Sequence, residues 1–200
     1  MFRKAEILSR IELRQSTIKD WLSCPLMFRY RHVLQLAPSY RSLAAIHGSA
    51  LHLCIHRLHF EGFDLDLGLL YARALEEVLE SESHIPIRWK KGVEEDRLIM
   101  LTHAAEILKG YVNHEQNHTS TLMYSEVKFR LRVNGMLLTG TIDQVRRNLD
   151  SSLELIDLKS GMQRPMKHAL QRDWQLNLYA YALRYGEIFI HSSWVRIRMK

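Results

Sequence analysis

Two hundred residues, 46% hydrophobic and 25% charged, make an ordinary globular composition, which excludes disordered, collagen-like and fibrous chains and allows one domain with a buried core. The formal charge of +6 is unevenly spread: residues 1–60 hold nine basic and three acidic side chains, residues 61–120 six and twelve, and residues 121–200 thirteen and seven. If the two basic ends fold together they form a surface suited to a polyanion; the alternative is a mixed solvated surface.

The longest run free of Lys, Arg, Asp and Glu, from Ser42 to His56, is too short to span a bilayer, so no membrane partner is expected. Residues Met1 to Glu6 show neither an apolar stretch nor a small-residue cleavage pattern, and a cytoplasmic or nucleoid-associated location is expected. Two cysteines, Cys24 and Cys54, cannot build a disulfide framework, in keeping with a reducing compartment.

In chain order, Ser16 is placed as the N-cap of a first helix with Ile18, Trp21 and Leu22 on one face, and Pro25 starts a new turn. Helices are predicted from about Leu43 to Phe60, from Leu69 to Leu79, and from Val93 to about His114. At Met123 the period changes to two: Val127, Phe129, Leu131 and Val133 alternate with Glu126, Lys128, Arg130 and Arg132, the pattern of a half-buried strand. Asn134-Gly135 predicts a two-residue type I′ turn into a second strand, Met136 to about Arg147. A polar turn at 148–152 leads to a third strand, Leu153 to Lys159, ended by Ser160-Gly161. After a loop with Pro165, an amphipathic helix from His168 to about Tyr185 and a final strand from Glu187 to Arg198 follow.

In an antiparallel pair the facing residue numbers have a constant sum, set by the turn. Pairing Val133 with Met136 gives 269 and sets Glu126 opposite Asp143; pairing Arg147 with Leu153 gives 300 and sets Asp143 opposite Asp157. Three carboxylates then share one row, with Lys159 projecting from the same face by strand alternation. Opposed like charges repel, and a divalent cation with oxygen ligands compensates them, Mg²⁺ in particular taking one or two carboxylates plus water and phosphate oxygens. A solvent-facing polar row relaxed by Lys128 and Arg130 is the alternative. Among His47, His52, His56 and His59, the i, i+4 pair His52 and His56 lacks the Glu and the paired cysteines of zinc motifs.

Gly140-Thr141-Ile142-Asp143, Ile156-Asp157-Leu158-Lys159-Ser160-Gly161 and Gln175-Leu176-Asn177-Leu178-Tyr179 resemble the PD-(D/E)XK nuclease superfamily, in its RecB-type exonuclease branch. Ser16-Thr17-Ile18 with Cys24-Pro25-Leu26-Met27-Phe28-Arg29-Tyr30 resembles that branch's N-terminal helical signature, and Gly48-Ser49-Ala50-Leu51-His52 its glycine-to-histidine helix motif. The resemblance implies an α/β fold with a restriction-endonuclease-like core: a mixed sheet containing an antiparallel three-strand meander, flanked by helices, with an N-terminal helical part. Residues 1–200 would form one nuclease domain, mainly helical over 1–120, with the catalytic sheet and helix in 121–200.

The resemblance also implies roles. His52, Asp143, Asp157 and the Leu158 carbonyl would bind Mg²⁺ or Mn²⁺, Glu126 would assist there, Lys159 would orient the attacking water, and Gln175 and Tyr179 would hold DNA. Some members carry a four-cysteine iron–sulfur cluster; Cys24 matches its first ligand, but no cysteine follows Cys54, so no cluster is expected. Cys24 then reads as a small buried residue beside Pro25. Tyr30, Trp174 and Tyr179 are candidates for stacking on unpaired bases, with Trp174 favoured as core. The expected activity is hydrolysis of DNA, from single- or double-stranded ends and with little sequence specificity, possible protein partners being those of a recombination or repair complex. A non-catalytic DNA-binding or scaffolding subunit is the alternative, and a specific endonuclease a third.

Overall fold

The computed structural model describes residues 13–81, 83–160 and 173–196, and their contacts divide them between two units. A sheet unit draws on Met1–Ala37, Thr121–Asp157 and Gln163–Lys200; a helical unit draws on Pro38–Ser120 and Leu158–Met162. Over these ranges the sequence assigns the sheet unit 19 basic and 10 acidic residues, net +9, and the helical unit 9 and 12, net −3. The cationic excess therefore belongs to the unit that carries the acid row.

In the helical unit, two-residue strands β2 (Arg41–Ser42) and β3 (Ile87–Arg88) pair in parallel. Three long helices follow the expected positions: α3 (Leu43–Glu61), α4 (Leu67–Ser81) and α5 (Val93–Gln116). Each begins for a local reason. Ser42 Oγ accepts the Ala45 N–H at 3.2 Å, Asp66 accepts the Leu69 N–H at 2.9 Å, and Glu94, Glu95 and Asp96 place negative charge in the first turn of α5. Asp96 also accepts the Lys90 and Lys91 N–H groups. Ile46, Ala50, Cys54 and Leu58, spaced by four, form the buried ridge of α3 against Tyr71, Ala74, Met100, Ala104 and Leu108. Burial pushes the Cys54 thiol up to about 12, which leaves it an inert core residue.

The sheet unit begins with β1 (Leu13–Arg14) and continues through α1 (Gln15–Ser23), α2 (Pro25–Phe28) and a π-helical turn at Arg29–Val33. The meander is β4 (Thr121–Val133), β5 (Met136–Arg147) and β6 (Leu153–Ile156); α6 (Trp174–Tyr185), β7 (Glu187–Ile190) and β8 (Ser193–Val195) complete it. The sheet runs β1-β5-β4-β7-β8, with β6 also on β5, and among the described residues only β1 is parallel to its neighbour. This is the expected mixed sheet with its antiparallel meander. Asn134 and Gly135 have φ of +49° and +80°, as a type I′ turn requires, and Val133 faces Met136. Val127, Phe129, Leu131, Leu138 and Ile142 are buried in one cluster with Tyr179, Ala182 and Leu183 of α6. Phe129 faces Gly140, where an added Cβ would lie 2.6 Å from its ring, so the glycine of the Gly140-Thr141-Ile142-Asp143 segment makes room for that ring.

Four expectations need correction. The N-cap of α1 is Arg14, not Ser16, because β1 leaves the sheet extended at Arg14 and the Thr17 hydroxyl accepts the Arg14 N–H at 3.2 Å. The third strand ends at Ile156 rather than Lys159: Leu158 packs on the helical unit's core, and its carbonyl accepts a hydrogen bond from His52 instead of joining the ladder. The final strand is a hairpin, turned by His191 and Ser192 at positive φ and closed by a Phe189–Trp194 ring contact at 5.3 Å. Cys24 is exposed, between the end of α1 and Pro25 at the start of α2. The early part of the helix expected from His168, together with Gly161, Pro165 and the strand end near Arg198, lies outside the described residues. Among the described residues no helix is long and apolar enough to cross a membrane.

Two predictions follow from this packing. A Cβ at Gly186 would meet the carbonyl oxygens of Arg130 and Ala182 at 2.6 and 2.7 Å, and backbone atoms cannot turn aside. Gly186→Ala should destabilise the fold by about 1–3 kcal/mol, measured as a lower urea midpoint and Tm. In the helical unit, His47 lies 2.6 Å from the Tyr71 hydroxyl and 3.0 Å from His103 Nδ1, contacts that a neutral ring satisfies with one donor and one acceptor nitrogen. Burial, with His103 adding, lowers His47 from 6.5 to about 4. The unfolded chain then binds more protons between these values, so stability present above pH 6.5 is lost as the pH falls toward 4. Urea midpoints at about pH 7.5 and about pH 5 should differ in that direction, and His47→Gln should shrink the difference.

Candidate functional site

The register of the meander builds the site. Ser125 faces Gln144 and Val127 faces Ile142, so Glu126 and Asp143 stand between two pairs that keep the sum of 269. On the other edge of β5, Gln144 faces Ile156 and Arg147 faces Leu153, a sum of 300. Continuing it by one residue brings Asp157, the first residue beyond β6, to the level of Asp143. Glu126 has φ of +52°, a left-handed conformation that disfavours a residue with a Cβ and interrupts the ladder at the acid itself. Asp143 is buried; Glu126 and Asp157 are half-buried.

Helix α6 supplies the neighbour these acids share. Asp173 caps it by accepting the Gln175 and Leu176 N–H groups at 2.8 and 3.3 Å, which fixes its first turn. From that turn the Gln175 side-chain amide donates to Asp157 Oδ1 and to the Tyr179 hydroxyl, both at 2.8 Å. Gln175 Oε1 accepts from Gln15 Nε2 at 2.9 Å. Every hydrogen-bonding position on that amide's nitrogen is engaged, so the amide fixes the Asp157 carboxylate and the phenol relative to each other. Burial, opposed by the Gln175 hydrogen bond and helped by the charges of Asp143, Asp157 and Glu126, pushes the Tyr179 phenol up to about 12. Tyr179 therefore feels all three carboxylates and keeps its proton across the physiological range.

The other anticipated residues belong to the helical unit. Leu158, joined to Asp157 by a peptide bond, starts the segment that returns to it. His52 Nε2 donates to the Leu158 carbonyl at 3.1 Å. Lys159 is exposed on the same segment, and Gly48 approaches Ser160, whose Oγ would lie 3.4 Å from a Cβ at that position. Gln15 was not anticipated; its only signal is its place directly before Ser16-Thr17-Ile18.

The carboxylates of the sheet unit fit a divalent cation. Three carboxylates around one phenol are hard oxygen donors of the kind Mg²⁺ and Mn²⁺ prefer. No curated protein matches the chain. The sequence profile of the PD-(D/E)XK nuclease superfamily matches residues 12–193. That span takes in β1 through β7, the three acids, Lys159 and the Gln175–Tyr179 turn of α6. With its mixed sheet and these acids aligned by strand register, the chain belongs to the PD-(D/E)XK nuclease superfamily, whose members are metal-dependent hydrolases of nucleic acid.

Proposed function

We propose that this protein is a Mg²⁺- or Mn²⁺-dependent deoxyribonuclease of the RecB-type branch, an exonuclease that hydrolyses DNA phosphodiester bonds with little sequence specificity. Residues 1–200 would act as one nuclease domain. The observation that carries the reading is the register of the meander, which brings Asp157 to the level of Asp143 and sets Glu126 between the pairs that flank it, while Gln175 anchors Asp157. Such crowding of acids is costly without a cation and useful with one.

In this reading Asp143 and Asp157 bind the ion, with Glu126 assisting and His52 and the Leu158 carbonyl as further ligands. A bound Mg²⁺ or Mn²⁺ supplies Lewis acidity toward the scissile phosphate and a water of lowered pKa. Lys159 orients that water and offsets charge on the phosphate. Gln175 holds Asp157 in place, and the protonated Tyr179 donates a hydrogen bond toward the substrate strand. The net +9 of the sheet unit favours backbone binding, which reads no bases and weakens with salt.

Purified protein with Mg²⁺ or Mn²⁺ should degrade linear DNA and leave closed circles intact, and EDTA should stop it. Lys159→Ala should lower the cleavage rate by roughly 10²–10⁴-fold while DNA binding persists; binding with no cleavage under either metal would instead favour a scaffold. Gln175→Leu keeps a helix-compatible side chain but removes both amide donors. It should raise the half-saturating Mg²⁺ concentration by about 10–100-fold, read from cleavage rates across a metal titration.

A further inference from the structure

The sheet unit holds a second feature beside the acids: a cleft of about 470 Å³ whose lining includes Arg14, Gln15, Lys128, Thr141, Tyr179 and Trp194. Strand pairing assembles it. Arg14 of β1 pairs with Thr139, Lys128 of β4 with Thr141 of β5, and Trp194 comes from the terminal hairpin. Its indole is fixed by the Arg130 guanidinium, 4.5 Å from the ring centroid, and by Phe189.

Among the described residues, two cations and several hydroxyls line the cleft, and no carboxylate does. Charge is thus sorted about Tyr179, with acids and cations gathered in separate places. Tyr179 and Gln15 belong to both: they line the cleft, and through Gln175 they are hydrogen-bonded to Asp157. A ligand in the cleft sits next to the carboxylates.

We infer that this cleft seats one unpaired nucleotide of the substrate strand, adjacent to the scissile phosphate, with its phosphate held by Arg14 and Lys128 and its base against Trp194. The volume lies within the roughly 300–1,000 Å³ of ligand pockets. A base that enters a pocket must leave its stack and its partner, which single strands and frayed ends do most readily. Cationic side chains that follow the backbone, combined with an aromatic platform, are the features that bind single strands without reading sequence. The assignment of a neighbouring scissile phosphate rests on the nuclease reading above; the seat for an unpaired nucleotide does not.

The test uses the full chain in EDTA and fluorescence anisotropy with a labelled oligothymidylate or a blunt duplex of the same length. The single strand should bind about tenfold tighter than the duplex; Trp194→Ala should lose about tenfold in single-strand affinity, and Trp194→Phe should retain most of it. Lys128→Gln, which leaves the indole in place, should weaken binding and reduce the slope of log affinity against log salt by about 0.7. Equal affinity for duplex and single strand, or Trp194→Ala and Lys128→Gln both binding like wild type, overturns the inference. Parallel cleavage assays with Mg²⁺ separate the two readings. Cleavage with unchanged KM in both variants removes the cleft and keeps the nuclease, whereas Trp194-dependent single-strand binding without any cleavage keeps the cleft and removes the nuclease.

Discussion

A turn of two residues, both at positive φ, determines which carboxylates stand together in this protein. Asn134-Gly135 locks β4 against β5, and because side chains alternate along a strand, a slip of one residue would send Glu126 and Asp143 to different partners and faces. The 148–152 turn does the same between β5 and β6. Between the two turns β5 is held from both sides, and Asp143 is buried at the crossing of the two registers. The chemistry of the site therefore rests on turn geometry several residues away from any functional side chain.

What strand pairing begins, one amide completes. Gln175 has a single NH₂ group, and it gives one hydrogen to Asp157 and the other to Tyr179. Its own orientation is set by Gln15 on one side and by the Asp173 cap of α6 on the other. Three elements distant in sequence thus converge on one side chain, the kind of supporting shell that holds functional carboxylates to within a few tenths of an ångström.

Much of this was legible from residues alone. The Asn-Gly turn and the period-two alternation give β4 and β5 their ends and register, and the spacing of Ile46, Ala50, Cys54 and Leu58 gives α3 its buried face. The departures share a cause, which is competition from distant partners. Leu153–Lys159 reads as a strand, but Leu158 has a better place in the helical core, and the ladder ends at Ile156. Glu187–Arg198 carries no glycine or asparagine to mark a turn, and its hairpin turns instead on His191 and Ser192 at positive φ, with Phe189 and Trp194 in contact across it. Gln15 has no local signature, since its role depends on a partner 160 residues away.

The same long separations bear on when the protein becomes complete during synthesis. The helical unit is nearly continuous in sequence, from Pro38 to Ser120, whereas the sheet unit gathers three separate stretches. Contacts between near neighbours form early and distant ones late, so a nascent chain buries its helices while the acids are still unmade. The amide that steadies Asp157 leaves the ribosome 18 residues after it, and only then can the carboxylate settle. A nascent chain that has not yet reached Gln175 has Asp157 but not the amide that steadies it, so the helical core precedes the finished acid row in synthesis.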